Sequence, residues 1–490
     1  MNTIKTIRNT GVASFAAFLI ACGGGGGGGD AQNDGQGAGG NNPTGGIDAR
    51  GSAVAVGTIS GFGSVIVNGV RFDTSNAIFT IDDEAGSESD LAVGQVVVVT
   101  GEIDDDGTTG TADAVSFDDA VEGPISEIDT ANNTLIVLGQ TVVVDTGTSF
   151  EDDIEPGSIL GLAVGDIVEV SGFYLADGRI LATYIELESP GDDFEVTGQV
   201  RNLDVGALTF EISGLVVDYS GAMLEDFPGG APENGQIVEA EGPTLGPNGE
   251  LVATSVEFES EDGSFGILDD GDDVEIEGLI TRFDSATDFD VNGLSVTTNA
   301  STEFENGSAA DLALNRRVEV EGSVNSNGVI VADEIEFEQE ADLEFAGNVE
   351  ATSADSITLL GVTIRVTPKT ELDDQRADSV RTFSLADLVV GDFVEVDAYD
   401  DGNGLVAASI EREDDLDEDR VSGPVAEIAE PEFTVNGVTV RTDANTEYET
   451  DELEIDAADF FGSALGQFVE VEGSFSNGVL LASEVELDDD

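Results

Sequence analysis

The stretch Leu162-Ala-Val-Gly-Asp-Ile-Val-Glu-Val-Ser-Gly172 decides the fold, because it returns along the chain in varied form. Apolar and polar residues alternate with period two in its second half, which is typical of a β-strand with one buried and one solvent-facing side. The other copies are LAVGQVVVVTG from Leu91, PENGQIVEAEG from Pro232, LALNRRVEVEG from Leu312, LVVGDFVEVDA from Leu388 and SALGQFVEVEG from Ser463. This recurrence predicts tandem copies of one β domain.

Other repeated elements flank each copy. An opening strand with a glycine precedes it, as in Val121-Glu-Gly-Pro-Ile125, and a turn with a second apolar run follows it, as in GRILATYIE from Gly178. Between the opening strand and the copy, a dipeptide such as Asn-Gly separates alternating apolar runs, which predicts a type I′ hairpin with positive φ at both turn residues. These dipeptides are Asn68-Gly69, Leu138-Gly139, Ser213-Gly214, Asn292-Gly293, Leu360-Gly361 and Asn436-Gly437.

The spacing of these elements predicts an all-β protein. The units are expected at 54–118, 119–189, 194–260, 273–340, 343–413 and 419–487. About five strands in roughly 70 residues favour a tandem array of about six small closed or nearly closed β-barrels, OB-like or SH3-like. The insertion at 370–383 is a candidate for a short helix. Phe150, Phe304 and Tyr448 are interpreted as core residues, with ligand stacking as the alternative.

The succession of opening glycine strand, V-N-G-V hairpin, Thr-x-aromatic, L-x-V-G-D-x-V-E-V-x-G and closing G-x-L-x-A-x-x-I-E resembles domain-of-unknown-function family 5666. The resemblance covers 54–487 and is clearest in the second, fourth and sixth units. The third unit departs from the pattern at Pro232–Gly235, and the fifth lacks the closing glycine at Asp397-Ala398. The family occurs as repeats in bacterial lipoproteins, so the resemblance implies architecture and export, and it implies no catalytic residues.

The N-terminus has the organisation of an export signal. Lys5 and Arg8 precede the apolar stretch Gly11–Ala21, which is too short to span a bilayer. Leu19-Ile20-Ala21-Cys22 resembles a bacterial lipobox, and Cys22 is the only cysteine of the chain. The sequence therefore predicts a signal peptide at 1–21 and lipidation of Cys22, with an ordinary secretory signal and an incidental cysteine as the alternative.

The residues after the cysteine are rich in glycine, so 22–53 is predicted to be a lipidated cysteine followed by a flexible tether. In Gram-negative lipoproteins, an aspartate directly after the cysteine retains the protein in the inner membrane. Gly23 and Gly24 stand there instead, which predicts an outer-membrane lipoprotein of the cell envelope. Whether it faces the periplasm or the cell surface is left open.

Composition restricts the chemistry. The chain has 103 acidic and 16 basic residues, a formal charge of −87 and no histidine. Such a charge disfavours nucleic acid and anionic headgroups, because both bind proteins through cationic side chains. Without histidine, Ser-His and Cys-His catalysis are excluded, and a single cysteine excludes intramolecular disulfides and cysteine metal clusters.

Three interpretations of the acidic residues compete. The leading one is a solvated surface in saline surroundings, because the acids fall on the polar side of the strands. The second is irregular, weak calcium binding, since none of the acidic runs fits the EF-hand loop. Its candidate ligands are Asp104, Asp105, Asp106, Asp269, Asp270, Asp272 and Asp273. The third, a carboxylate pair acting on a glycosidic bond, receives no support from a chain without tryptophan.

The function expected from these features is a non-enzymatic, lipid-anchored envelope or cell-surface protein whose β modules act as spacer or interaction surface. The alternative is a binding protein that takes calcium, an oligosaccharide or a peptide on OB-like barrel faces. No cofactor other than calcium is expected, and the membrane is contacted through the lipid anchor. A protein or polysaccharide partner and the oligomeric state are left open.

Overall fold

The structure is a computed structural model. It describes residues 53–104, 107–151, 153–189, 191, 193–260, 268, 270–339, 341–376, 379–414, 418–450 and 453–487. These residues fall within one compact unit. The predicted signal peptide, Cys22 and the tether up to residue 52 lie outside the described residues. Over the described ranges, no helix has the length and apolar character needed to cross a membrane.

The first three repeats consist of strands joined by turns and two short 3₁₀ helices. The first repeat contains β1 (Ala53–Gly61), β2 (Val65–Val67), β3 (Val70–Asp73), β4 (Ile78–Ile81), β5 (Glu84–Ala85), a 3₁₀ helix (Glu88–Asp90), β6 (Val96–Ile103) and β7 (Thr109–Phe117). The second contains β8 (Val121–Asp129), β9 (Thr134–Val137), β10 (Gln140–Val143), β11 (Ser149–Phe150), a 3₁₀ helix (Ile159–Gly161), β12 (Ile167–Tyr174) and β13 (Ile180–Leu187). The third contains β14 (Phe194–Gln199), β15 (Arg201–Asp204), β16 (Thr209–Ile212), β17 (Leu215–Asp218), β18 (Met223–Glu225), β19 (Ile237–Gly242), β20 (Leu251–Val252) and β21 (Ser255–Ser260).

The last three repeats follow the same plan. The fourth contains β22 (Asp273–Ser285), β23 (Asp288–Val291), β24 (Leu294–Thr297), β25 (Glu303–Glu305), β26 (Arg317–Val324) and β27 (Ile330–Phe337). The fifth contains β28 (Leu343–Asn348), β29 (Ala351–Thr352), β30 (Ser356–Leu359), β31 (Val362–Arg365), β32 (Glu371–Asp374), a 3₁₀ helix (Leu385–Asp387), β33 (Phe393–Asp400), β34 (Leu405–Ala407) and β35 (Ser409–Glu413). The sixth contains β36 (Asp419–Ala429), β37 (Glu432–Val435), β38 (Val438–Arg441), β39 (Glu447–Thr450), β40 (Leu453–Glu454), α1 (Ala457–Ser463), β41 (Phe468–Ser476) and β42 (Val479–Leu487).

The strands of a repeat close into a ring, as the second repeat shows. Strand β8 pairs with β9, β9 with β10, β10 with β13 in parallel, β13 with β12, and β12 again with β8. The first, fourth and sixth repeats close in the same order, whereas the opening and closing strands are interrupted in the third and fifth. The predicted all-β array of small barrels is therefore confirmed, while the choice between OB-like and SH3-like stays a prediction.

The predicted hairpins are present in every repeat. At all six dipeptides the two turn residues have positive φ, for example 53° at Asn68 and 80° at Gly69, as a type I′ turn requires. The asparagine side chain then folds over the opening strand, where Asn292 Nδ2 donates to the Glu277 carbonyl at 2.9 Å. A Cβ added at Gly278 would lie 2.0 Å from Asn292 Nδ2, so the opening glycine makes room for this contact.

The closing glycine of the signature stretch marks a bulge. At Gly172 the register between β12 and β13 shifts, and an added Cβ would lie 2.2 Å from the Leu181 carbonyl oxygen. Any side chain here would push the two strands apart, because the contact is with backbone. This explains why the stretch ends in glycine in most repeats.

The repeats pair through their opening strands. Strand β8 pairs with β14 and β28 with β36, both antiparallel, which joins the second repeat to the third and the fifth to the sixth. Strand β1 pairs in parallel with β22, which joins the first repeat to the fourth. The hydrophobic cores of the second and third repeats merge, as do those of the fifth and sixth.

The aromatic residues of the Thr-x-aromatic elements pack as predicted. Phe150 and Tyr448 are buried, and the half-buried Phe304 stacks on Phe337 with 6.5 Å between ring centroids. The helix predicted at 370–383 is wrong for the described residues of that segment, which contain strand β32. The equivalent insertion of the sixth repeat does contain a helix, α1, whose Phe460 packs against Tyr448 in the core.

Candidate functional site

The outer faces of the barrels carry glutamates that are not all exposed. The expectation that the strand acids face solvent is wrong for Glu122, Glu169, Glu195, Glu275, Glu277 and Glu319, which are 4–9% exposed. The physical reason is that one repeat covers the polar face of another. Gln95 of the first repeat donates to Glu169 at 3.4 Å, and the Val96 amide donates to Ser171 Oγ at 2.8 Å.

A row of glutamates crosses the joined sheet of the second and third repeats. Each of the strands β13, β12, β8, β14 and β19 contributes one glutamate, which lies directly opposite the glutamate of the next strand. We call this the five-glutamate row: Glu186, Glu169, Glu122, Glu195 and Glu241. Opposite residues on one face have Cβ atoms about 4.5–5.5 Å apart, so like charges here repel.

A hairpin of the first repeat brings another acid to this row. Strands β4 and β5 are joined by Asp82 and Asp83, which have positive φ of 44° and 57°. Carboxylate oxygens of Asp82, Asp119 and Glu195 lie within 4.8 Å of one another. We call these residues the carboxylate cluster; its members come from the first repeat, the start of the second and the third.

The carboxylate cluster lies in an electrostatically unfavourable environment. Asp119 is 3% and Glu195 7% exposed. Burial raises the pKa of Asp119 well above its usual value, and Glu195 and Glu169 raise it further. Burial likewise raises the pKa of Glu195, with Glu239 and Asp82 adding to the effect. Within the described chain, Asp119 Oδ1 and Glu195 Oε1 have no hydrogen-bond donor.

At the interface of the first and fourth repeats, two buried glutamates have basic partners. Glu277 accepts from the Thr58 amide and hydroxyl, both at 3.0 Å, and forms an ion pair with Arg317. Burial alone would raise the pKa of Glu277, but Arg317 and Thr58 lower it below its usual value. Nearby, Lys369 of the fifth repeat forms ion pairs with Glu319, at 2.8 Å, and with Glu336.

The joined sheet of the fifth and sixth repeats carries a second row of side chains at the equivalent register position. It runs across β35, β33, β28, β36, β41 and β42. We call it the arginine row: Glu411, Glu395, Ala346, Arg420, Glu472 and Glu484. Arg420 forms ion pairs with Glu344 and with Glu395, the latter at 3.0 Å.

The calcium ligands predicted from sequence lie elsewhere. Asp104 is exposed and accepts from Thr109 Oγ1 at 2.8 Å. Asp270 and Asp273 are exposed and Asp272 is buried, whereas Asp105, Asp106 and Asp269 lie outside the described residues. Three acidic groups among the described residues have the spacing of metal ligands, and none includes a predicted ligand.

Sequence reasoning missed Asp82, Asp119 and Glu195. Period-two alternation places Glu195 on the polar side of its strand, and Asp82-Asp83 is a recognisable turn dipeptide. Neither signal shows that the turn of one repeat approaches the strand of another.

The fold defines a class, an all-β protein built from six copies of one small domain. The family described as Domain of unknown function (DUF5666) matches residues 55–115, 122–186, 197–257, 277–336, 346–411 and 422–486. The chain therefore belongs to this family, and the resemblance predicted from the motifs is confirmed, including its third and fifth units. No curated protein matches the chain.

Proposed function

We propose that the protein is a non-enzymatic, lipid-anchored component of the bacterial cell envelope, in which the six repeats act together as a spacer or interaction body. The observation that carries this proposal is the pairing of opening strands, which joins the repeats into continuous sheets. Repeats strung on free linkers would bend independently, whereas main-chain pairing between them resists bending.

The contacts between repeats that are distant in sequence support the same conclusion. Strand β1 pairs with β22, and Asn68 of the first repeat donates to the Glu275 carbonyl at 3.1 Å. Ala176 of the second repeat donates its amide to Asn315 Oδ1 of the fourth at 2.8 Å. The absence of histidine from the sequence supports the non-enzymatic part of the proposal.

A protease recognition sequence placed at 261–267 tests the spacer body. After cleavage, the N-terminal fragment with β1 and the C-terminal fragment with β22 should elute together on gel filtration, because these strands pair. A site placed at 31–40 is the control, since its cleavage should release only the segment that precedes it. Separate elution of the two large fragments would contradict a joined body.

Anchoring is supported by the lipobox-like Leu19-Ile20-Ala21-Cys22 and is tested separately. Cys22→Ser should leave the precursor unprocessed, abolish incorporation of labelled palmitate and remove the protein from washed outer membranes. Ser14→Ala, in the same apolar stretch, should leave all three unchanged. If the wild-type chain does not incorporate palmitate, the anchor is wrong, although the body of repeats would remain.

A further inference from the structure

Three groups of carboxylates among the described residues have the spacing of metal ligands, and they differ in the donors that their oxygens contact. The group of Glu275, Glu319 and Glu321 receives the ammonium of Lys369, which forms its ion pair with Glu319 at 2.8 Å. In the group of Glu169, Glu186 and Glu188, Glu169 accepts from the amide of Gln95. In the carboxylate cluster, Asp119 Oδ1 and Glu195 Oε1 accept from no donor of the described chain.

The joined fifth and sixth repeats show which side chain occupies the position equivalent to Glu195. Val121 pairs with Val196 in one pair and Phe345 with Val421 in the other, so the two junctions have the same register. One residue before Val196 and Val421, Glu195 of the third repeat corresponds to Arg420 of the sixth. A guanidinium paired with Glu344 of β28 and Glu395 of β33 thus occupies the position that is a buried carboxylate in the third repeat.

Among the described residues, the charged groups that act on Asp119 add no positive charge to the carboxylate cluster. The charged groups that act most strongly on Asp119 are Glu195, Glu169, Asp82 and Glu122, all acidic. Tyr174, the nearby hydroxyl, donates to the Thr197 carbonyl at 2.8 Å rather than to a carboxylate. Burying carboxylates together without a counter-charge is costly, and natural structures pair such groups or coordinate a metal with them.

We propose that Asp82, Asp119 and Glu195 bind one divalent cation of the calcium type. Their oxygens lie within 4.8 Å of one another. That upper limit admits either ion, because ligand oxygens on opposite sides of a calcium ion lie about 5 Å apart and those across a magnesium ion about 4 Å apart. Calcium is favoured because it accepts irregular carboxylate coordination, whereas magnesium demands near-ideal octahedral geometry and gives up its waters reluctantly.

The cation joins three repeats at one point. It is held by the β4–β5 turn of the first repeat, by the start of the second and by the opening strand of the third. It takes the structural place of the Arg420 guanidinium and adds a connection that main-chain pairing does not supply. This inference goes beyond the proposed envelope role and does not depend on Cys22, so either can fail without the other.

Calorimetric titration of the purified, chelator-treated protein with calcium chloride, at fixed ionic strength, tests the site. We expect one saturable site per chain above diffuse binding, with magnesium binding at least about tenfold more weakly. Calcium should raise the melting temperature more than magnesium at equal concentration, because only the folded chain assembles the ligands. No saturable calcium site up to about 10 mM, or equal effects of both ions, would overturn the proposal.

Asp119→Asn assigns the site to these residues. It should abolish the saturable site, and Glu195→Gln should weaken calcium binding by at least about tenfold, since ligand charge sets affinity. Both substitutions remove a buried, repelled charge, so the cation-free variants should fold, as circular dichroism will show. Glu427→Gln, an exposed strand position of the sixth repeat, is the matched control and should keep the site. Retention of wild-type calcium affinity in Asp119→Asn would sink the assignment.

Discussion

The five-glutamate row and the arginine row occupy the same register in two pairs of repeats, yet Glu195 of the first corresponds to Arg420 of the second. The first row has four directly opposed pairs of glutamates. In the second, Ala346 and Arg420 stand at the centre and separate Glu395 from Glu472. The β architecture therefore determines which side chains lie opposite one another in both pairs of repeats. The balance of acidic and basic residues in the row differs between the two pairs.

The largest effect is expected when the guanidinium of Arg420 is removed. Arg420→Gln leaves Glu344 and Glu395 without their counter-charge in a site where Arg420 is 28% exposed. Loss of one partner of a largely buried ion pair is expected to cost about 2–3 kcal/mol, which urea unfolding should show as a lower midpoint. Arg441→Gln, whose pair with Glu432 is exposed at 51% and 44%, is the control and should change stability by less than about 1 kcal/mol. Equal effects of the two substitutions would show that the arginine row is not a stabilising feature.

Most of the single repeat could be predicted from the sequence. Asn68-Gly69 and its equivalents fixed the hairpins, because few residue pairs accept two positive φ values. The recurrence of Gly172 and its equivalents marked the end of the repeated stretch, and the structure adds that this glycine lies at a bulge. Both signals act between residues close in sequence or within one repeating pattern, so they survive without knowledge of the assembled molecule.

The relations between repeats could not be predicted in this way. The alternation of apolar and polar residues predicts that Glu195 and Glu122 lie on the face of the sheet that points away from the core. It does not predict that another repeat covers that face. The pairing of β1 with β22 joins the first repeat to the fourth, which no local signal encodes. The carboxylate cluster depends on such non-local contacts, whereas the sequence alone points to the aspartate-rich segments 104–106 and 269–273 as calcium ligands.

A second prediction concerns the pH dependence of stability. Two largely buried glutamates have raised pKa values although a basic side chain lies beside each of them. Burial raises the pKa of Glu275 to about 9, with Glu319 and Glu321 adding to it and Lys369 opposing it. Burial raises the pKa of Glu344 to about 8 although Arg420 opposes the shift. Both values exceed the unfolded value of about 4.3, so the folded chain binds more protons.

The stability from these groups is fully present below the unfolded pKa and is lost as pH rises through the folded values. The melting temperature should therefore fall by several degrees as pH rises from about 5 to about 9, measured with chelator at constant ionic strength. Glu275→Gln should flatten this slope, whereas the exposed Glu427→Gln should leave it unchanged. A melting temperature that is constant or rises over this window would contradict the assignment of buried, protonated glutamates.

The reverse exchange introduces an arginine into the five-glutamate row. Glu195→Arg converts the five-glutamate row toward the arginine row, replacing two repulsive contacts, with Glu122 and Glu241, by attractive ones. Since an opposed charge pair contributes about 0.2–1 kcal/mol, stability in chelator should rise by about 1–2 kcal/mol, and more at low salt than at high salt. Glu195→Gln should give about half of that gain. A loss of stability in both variants would mean that Glu195 is well accommodated as a carboxylate.

The smallest effect is expected where the sequence placed calcium. Asp104 is exposed, and its carboxylate accepts from Thr109 Oγ1 at 2.8 Å, a bond that an amide oxygen can also accept, so Asp104→Asn removes one charge and weakens at most one solvent-accessible hydrogen bond. The change in stability should stay within about 0.5–1 kcal/mol, and the calcium-induced rise in melting temperature should be that of the wild-type chain. An exposed carboxylate has water and salt to screen it, while Asp119 at 3% exposure has neither, and a cation is held firmly only where it replaces missing solvation. If Asp104→Asn removed the calcium response and Asp119→Asn did not, the segment 104–106 would be the binding site and the contrast between surface and interface acids would be reversed.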